Sequence, residues 1–288
     1  RTMGGVPVNR PPMPILYEDN HLLVVEKPVN MPSQEDESRD PDVLTVMKDW
    51  IKVRDGKPGN VYLGLVHRLD RPVGGAMVLA KTSKAASRLS DAIRTRSIGK
   101  EYVAVVRGCP PEREATLVHY LWKDPARHIV YAVRKNHKQA KEAVLDYRVI
   151  GTSPDAGAPE FARDVTNHGQ AAATGNHRDR KPHGAARTAV REPDRLSLVR
   201  VRLHTGRTHQ IRVQMAQIGC PLYGDQKYGA ARNKPGQQLA LWSALLAFIH
   251  PVGKREMRFV STPPRLFPWD LWDERLYRED AGWGVSES

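Results

Sequence analysis

Apolar and polar positions along the chain follow two periods. Alternation, or a short apolar run, predicts strands over Ile15–Tyr17, His21–Glu26, Val61–Val66, Ala76–Ala80, Lys100–Arg107 and Thr116–Trp122. The same signals recur at His128–Val133, Glu142–Ile150, Leu196–Leu203, Leu239–Ile249 and Met257–Val260. A period of three to four predicts helices over Val43–Val53, through Leu44, Met47, Trp50 and Ile51, and over Ser83–Thr95, through Ala86, Leu89, Ala92 and Ile93. Thr82 or Ser83 is the expected cap of the latter. Thr208–Ile218 carries Ile211, Met215 and Ile218 on one face and stops at Gly219 and Pro221, and Trp269–Leu276 is a short closing helix. Strands outnumber helices and do not alternate with them. The expectation is an α+β fold: a large mixed, mostly antiparallel sheet with flanking helices and loops.

Two stretches break the pattern. Residues 1–14 hold four prolines and few apolar residues, and are expected to form an extended N-terminal arm. From Gly151 to Ala189 there is no Leu, Ile, Met, Trp or Tyr, and Phe161 is the only aromatic residue. Such a segment cannot bury enough surface to offset its ordering entropy, so a solvated insertion is expected, either a tolerated surface loop or a basic loop touching a polyanion. Residues 15–280 then form a single domain around it, and 281–288 a C-terminal tail. No repeat at solenoid spacing is present.

Charge narrows the partner. The 288 residues carry a formal net charge of +13 and an isoelectric point near 9.9. That balance favours nucleic acid first and an anionic membrane surface second. No apolar run approaches the roughly 20 residues of a membrane span. No signal peptide opens the chain. Cys109 and Cys220 are too few for a disulfide framework, and no CxxC pair suggests zinc. A reduced, cytoplasmic monomer without metal is expected.

Three stretches hold candidate chemistry. The first is the charged loop His67–Gly75 between two apolar runs, where a rigid scaffold would aim its side chains. Within it Asp70 lies between Arg68 and Arg71, which would keep a carboxylate ionised as a nucleophile or base. For an isolated Arg-x-Asp-Arg, a structural ion pair is the stronger reading. The second runs Leu203-His204-Thr205-Gly206-Arg207-Thr208-His209-Gln210-Ile211-Arg212. Gly206 permits a sharp turn and Thr208 could cap the next helix. Free N–H groups there, with Arg207, suit a phosphate. Arg212, one turn on, could reach Asp70. The alternative is that Arg207 and Arg212 are solvated surface charges. His204 and His209 lack a third metal ligand at a sensible spacing. The third is Gly99–Val106, where alternation puts Lys100, Tyr102, Ala104 and Val106 on one face. Tyr102 is either a core residue or a ring that stacks on a base, and alone the core reading is stronger.

Taken together and in this order, these stretches resemble the RluA-type pseudouridine synthases. His67-Arg68-Leu69-Asp70 matches the family's H-R-L-D, and Ala80-Lys81-Thr82 the A-K that follows. Gly99-Lys100-x-Tyr102-x-Ala104-x-Val106-x-Gly108 matches the strand bearing the active-site tyrosine. Thr205–Val213 matches the late T-G-R-[ST]-H-Q-[IL]-R, and Gly224-Asp225 with Tyr228-Gly229 the G-D-x-x-Y-G after it. Lys27-Pro28 and His250-Pro251 match an early K-P and a late H-P. The likeness runs from about Ile15 to about Pro264. Where the family usually has Thr-Ser-Gly, this chain has Val73-Gly74-Gly75, and the Gly151–Ala189 insertion is atypical. The small N-terminal RNA-binding domain of many relatives is not expected here.

The resemblance implies the pseudouridine synthase fold and isomerisation of uridine in RNA, either large-subunit ribosomal RNA or tRNA, without cofactor or metal. It implies Asp70 as the essential carboxylate, Arg212 as its cation and Tyr102 as the ring stacked on the base. Arg68 would fill the space of a flipped base. Arg71, Lys81, Lys100, Arg207 and His209 would hold the RNA, in a salt-sensitive way. A non-catalytic RNA-binding or RNA-folding protein on the same fold is the alternative, set against the retention of Asp70, Tyr102 and Arg212 together. A metal-dependent hydrolase is weaker, because consecutive Glu35-Asp36-Glu37 cannot all face one ion.

Overall fold

The computed structural model describes residues 10–153 and 195–278, with the backbone of two short paired strands, β1 (Thr2–Met3) and β2 (Val6–Pro7). Most of the expected insertion and the C-terminal tail lie outside the described residues. The chain continues through β3 (Ile15–Glu18), β4 (Leu22–Lys27), α1 (Val43–Arg54), β5 (Gly64–Leu65), β6 (Gly74–Ala80), α2 (Ser83–Arg94) and β7 (Gly99–Arg107). Then follow β8 (Glu114–Asp124), β9 (Ile129–Val133), β10 (Lys141–Ser153), β11 (Leu196–Leu203), α3 (Gln210–Gln217), β12 (Leu241–Ile249), β13 (Glu256–Val260) and α4 (Arg275–Arg278).

Eleven of these strands make one sheet in the order β3-β4-β6-β12-β7-β11-β10-β8-β9, with β5 added to β6 and β13 to β12. Only β6 and β12 pair in parallel; every other ladder of that sheet is antiparallel. The expected α+β sheet is therefore present, and alternation explains how it is covered. Leu23 and Val25 of β4, Met77 and Leu79 of β6, and Tyr102, Ala104 and Val106 of β7 face one core, which α1 closes with Val43, Met47, Trp50 and Ile51 and α3 with Ile211 and Met215. Leu22, Val24, Ala76 and Val78 face the opposite way, onto Ala85 and Leu89 of α2. Both helices start on a side-chain cap: Asp42 accepts from the Thr45 amide, and Thr82 from the Ala85 amide.

Three elements differ from the sequence pattern. The strand expected over Val61–Val66 pairs only at Gly64 and Leu65, because the next ladder donor, the Val78 amide, goes to the His67 imidazole instead. The helix expected from Thr208 starts at Gln210, and Thr208 caps nothing. The closing helix is broken into a single 3₁₀ turn, Trp269–Leu271, and α4. Among the described residues no helix is long and apolar enough to cross a membrane.

Candidate active site

The charged loop after β5 is tied down from below. Ser33 Oγ donates to the Leu69 carbonyl at 2.8 Å and accepts from the Leu69 amide at 3.1 Å. Lys27, at the end of β4 and fully buried, donates to the carbonyls of Pro28, Met31 and Arg71, which occupy the three N–H bonds of an ammonium. Burial pulls this lysine down to about 7, against the attraction of Asp70. A turn then closes from the Val73 amide to the Asp70 carbonyl, 2.9 Å.

The residues that replace the family's Thr-Ser-Gly complete the anchoring by packing. Val73 lies in the core. A Cβ on Gly74 would come within 2.3 Å of the Trp242 ring, and one on Gly75 within 2.3 Å of the Ser243 carbonyl. The parallel β6–β12 contact begins at these two pairs, so the loop leads straight into the tightest part of the sheet. His67 belongs to the same scaffold. Its Nε2 accepts from the Val78 amide, and enclosure by protein, with Lys100 nearby, pushes the imidazole down to about 3.

The second stretch forms the facing wall. Thr205 Oγ1 accepts from the Val144 amide at 2.9 Å and donates to Gln210 Oε1 at 2.9 Å. Gln210 also accepts from the Arg207 amide and donates to the Val144 carbonyl. The turn 205–210 is thus laced to β10 by one buried glutamine. The left-handed residue in it is His209, φ 52°, rather than Gly206. Arg212 on α3 makes a bidentate pair with Asp225, Nε–Oδ2 and Nη2–Oδ1 both 2.8 Å. The expected direct pairing of Arg212 with Asp70 is therefore corrected: the ion pair is made to Asp225 through Nε and one Nη2 N–H, and Asp70 acts on the guanidinium through space.

Between these walls lies a cleft of about 750 Å³, lined by Arg68, Asp70, Lys100, Tyr102, Arg207, His209 and Arg212, among others. Nearly buried in its floor is Tyr102, a member of the core that also lines the cleft. Burial first, and the charge of Asp70 second, push the phenol up, so it acts as a neutral hydroxyl at ordinary pH. The Asp70 carboxylate is about one-third exposed, and His209 Nε2 approaches its Oδ2 at 3.8 Å. Among the described residues no donor lies within hydrogen-bonding distance of it.

Of the basic residues expected at the RNA, some face the cleft freely and some do not. Arg68 is exposed and has no protein partner among the described residues. Lys100 lines the cleft with its charged form disfavoured by burial. Arg207 lines it while donating from Nε to the Glu142 carbonyl. Arg71 lines the cleft with its charge met by the acidic loop, paired with Asp36 at 2.9 Å and Asp40 at 2.6 Å. Lys81, beyond the far end of β6, pairs with Glu18 at 2.7 Å and does not line the cleft. Ser33, Lys27, Asp225 and Tyr228 support the site without an expected role in it; Lys27 stood only in the Lys-Pro match and Ser33 in no motif. The Gly-Asp-x-x-Tyr-Gly match was the available signal for the last two.

Residues 21–217 match the RNA pseudouridylate synthase family. The chain is 34% identical over 257 residues to an uncharacterized RNA pseudouridine synthase of Bacillus subtilis, YjbO, covering 88% of this chain and 74% of that one. It is 30% identical over 268 residues to ribosomal large subunit pseudouridine synthase D of Salmonella typhimurium, covering 88% and 68%. The fold is similar to that of human RNA pseudouridylate synthase domain containing 4, with a TM-score of 0.63, 22% identity, and 92% and 93% of the two chains covered. Motif order, sheet and family match agree: the chain belongs to the RNA pseudouridylate synthase family, enzymes that isomerise uridine in RNA to pseudouridine.

Proposed function

We propose that Asp70 is the carboxylate that opens the glycosidic bond, that Tyr102 stacks on the base, and that the substrate is large-subunit ribosomal RNA. The observation that carries the assignment is the unbonded Asp70 carboxylate, set in a cleft beside a nearly buried ring and within the field of Arg212. A carboxylate without a protein donor is free to meet a ribose. In the isomerisation the N1–C1′ bond breaks, the uracil turns and C5 joins C1′; C5 loses a proton and N1 gains one. Asp70 either attacks C1′ or takes the 2′ proton to give a glycal, and both routes need the ionised form. The 30% identity to an enzyme named for the large ribosomal subunit supports the choice of ribosomal RNA over tRNA.

The experiment is tritium release from RNA labelled at C5 of uracil. Asp70→Asn is expected to lower the rate by roughly 10³-fold or more, the scale of removing a nucleophile or base. Release at the wild-type rate would refute the assignment. Mapping pseudouridines in cells lacking the protein tests the substrate: a site lost from the large-subunit RNA supports it, and a site lost only from tRNA overturns it.

A further inference from the structure

Beside the reacting carboxylate sits a histidine whose own partner is fixed. His209 Nδ1 lies 2.6 Å from the hydroxyl of Tyr228. That hydroxyl already accepts the Val130 amide of β9 at 3.0 Å, and an amide can only donate. The phenol proton is then free to point at Nδ1, which makes Nδ1 the acceptor. Burial holds the imidazole below its ordinary value, against the pull of Asp70, so at neutral pH the ring carries one proton. With Nδ1 accepting, that proton is on Nε2, the nitrogen that faces Asp70 Oδ2 at 3.8 Å. The opposite tautomer would aim a lone pair at a carboxylate and leave the phenol proton without an acceptor.

The frame around the pair is equally determined. Asp225 Oδ1 accepts the amides of Lys227 and Tyr228, at 2.9 and 3.0 Å, while both its oxygens hold Arg212. The Arg212 guanidinium lies 5.2 Å from the centre of the Tyr228 ring, which meets His209 edge-on. Gly224 has φ +77°, and a Cβ there would meet the Gln238 carbonyl at 2.2 Å. One turn thus sets both groups that face Asp70 from this side.

We propose that Tyr228 and His209 form a positioning relay, which presents an N–H to Asp70 Oδ2 and leaves Oδ1 as the oxygen that meets the ribose. The relay rests on the reading of Asp70 as the reacting carboxylate. It serves either route, since one oxygen is held while the other attacks C1′ or takes the 2′ proton. Closure of the 3.8 Å gap on RNA entry completes the contact.

Nitrogen-15 spectra of histidine-labelled protein read the tautomer directly. The wild type is expected to show His209 protonated on Nε2, and Tyr228→Phe to lose that preference. At saturating RNA, single-turnover rates of Tyr228→Phe and His209→Leu should fall about 10- to 100-fold, the scale of removing a hydrogen bond that orients a reacting group. His209→Gln keeps an N–H in the Nε2 position and should recover most of the loss. Leu and Gln meet the same left-handed backbone, so their difference reports the donor alone. A proton on Nδ1 in the wild type, or His209→Leu as fast as His209→Gln, overturns the relay. Asp70→Asn run in parallel separates the two failures. If it is inactive while His209→Leu is fast, the relay fails alone; if it is active, the assignment of Asp70 fails and takes the relay with it.

Discussion

On its far side the Asp70 loop is anchored by residues that carry no charge. The turn after Asp70 enters the sheet through Val73, Gly74 and Gly75, and Gly74 has the ring of Trp242 where a side chain would be. Trp242 cannot swing aside cheaply, since it is buried and its Nε1 is bonded to Ser261 Oγ at 3.0 Å. Adding one methyl group by Gly74→Ala is expected to destabilise the fold by about 1–3 kcal/mol, the range for overpacking a filled site. Gly59→Ala, where nothing lies within 4 Å of the added carbon, is the control. Chemical denaturation of both variants checks this; an unchanged midpoint for Gly74→Ala would mean that the ring yields. At Val73-Gly74-Gly75 the loop is thus anchored by packed contacts.

At the scale of elements, His67 shows how a side chain can end a strand. By taking the Val78 amide it stops β5 after two residues and frees the chain to form the Asp70 loop. It does so only as the neutral ring. The folded value near 3 lies below the ordinary 6.5, so between those values the unfolded chain binds the extra proton. This contribution to stability is full above pH 6.5 and is lost as the pH falls, by about 1.4 kcal/mol per unit for one proton. In His67→Gln an amide oxygen can accept the same bond without titrating. Stability of the variant, followed by urea unfolding between pH 7 and 4, should fall less steeply than that of the wild type. Equal slopes would show that His67 is not the group responsible. The strand before the loop and the strand that carries Tyr102 differ in how legible they were. The strand β7 was readable because Tyr102, Ala104 and Val106 alternate with Val103 and Val105, and burial on both faces keeps that period. β5 was not, because the apolar run Val61–Val66 hides a ladder bond taken by a side chain. The start of α3 was misplaced for a related reason: Thr208 is a good local cap, but the backbone there is set by His209, whose partner Tyr228 is 19 residues away. Arg212 was recognised, yet its true partner, Asp225, lies 13 residues on and only a motif match pointed to it.

For the molecule as a whole, a net charge of +13 says that RNA is attracted, but not through which residues. Two of the arginines nearest Asp70 in sequence have opposite surroundings. Arg71 is held by Asp36, Asp40 and Ser38, so its charge is met within the protein and the acidic loop acts as its counterion. Arg68 is exposed at the cleft with no protein partner among the described residues, so a phosphate or a displaced base is its natural partner. Each phosphate neutralised by the protein releases counterions, and for single strands the slope of log affinity against log salt changes by about 0.7 per contact. Binding of a single-stranded uridine-containing RNA, measured across a potassium chloride series, should therefore weaken with salt. Arg68→Ala should make the slope shallower by about 0.7, whereas Arg71→Ala should leave it nearly unchanged, since Asp36 and Asp40 already meet its charge. Arg71→Ala should act instead on the loop, through the unpaired Asp36 and Asp40, and lower the isomerisation rate more than the affinity. If both variants changed the slope alike, RNA binding would depend on overall charge rather than on the residues the fold leaves open.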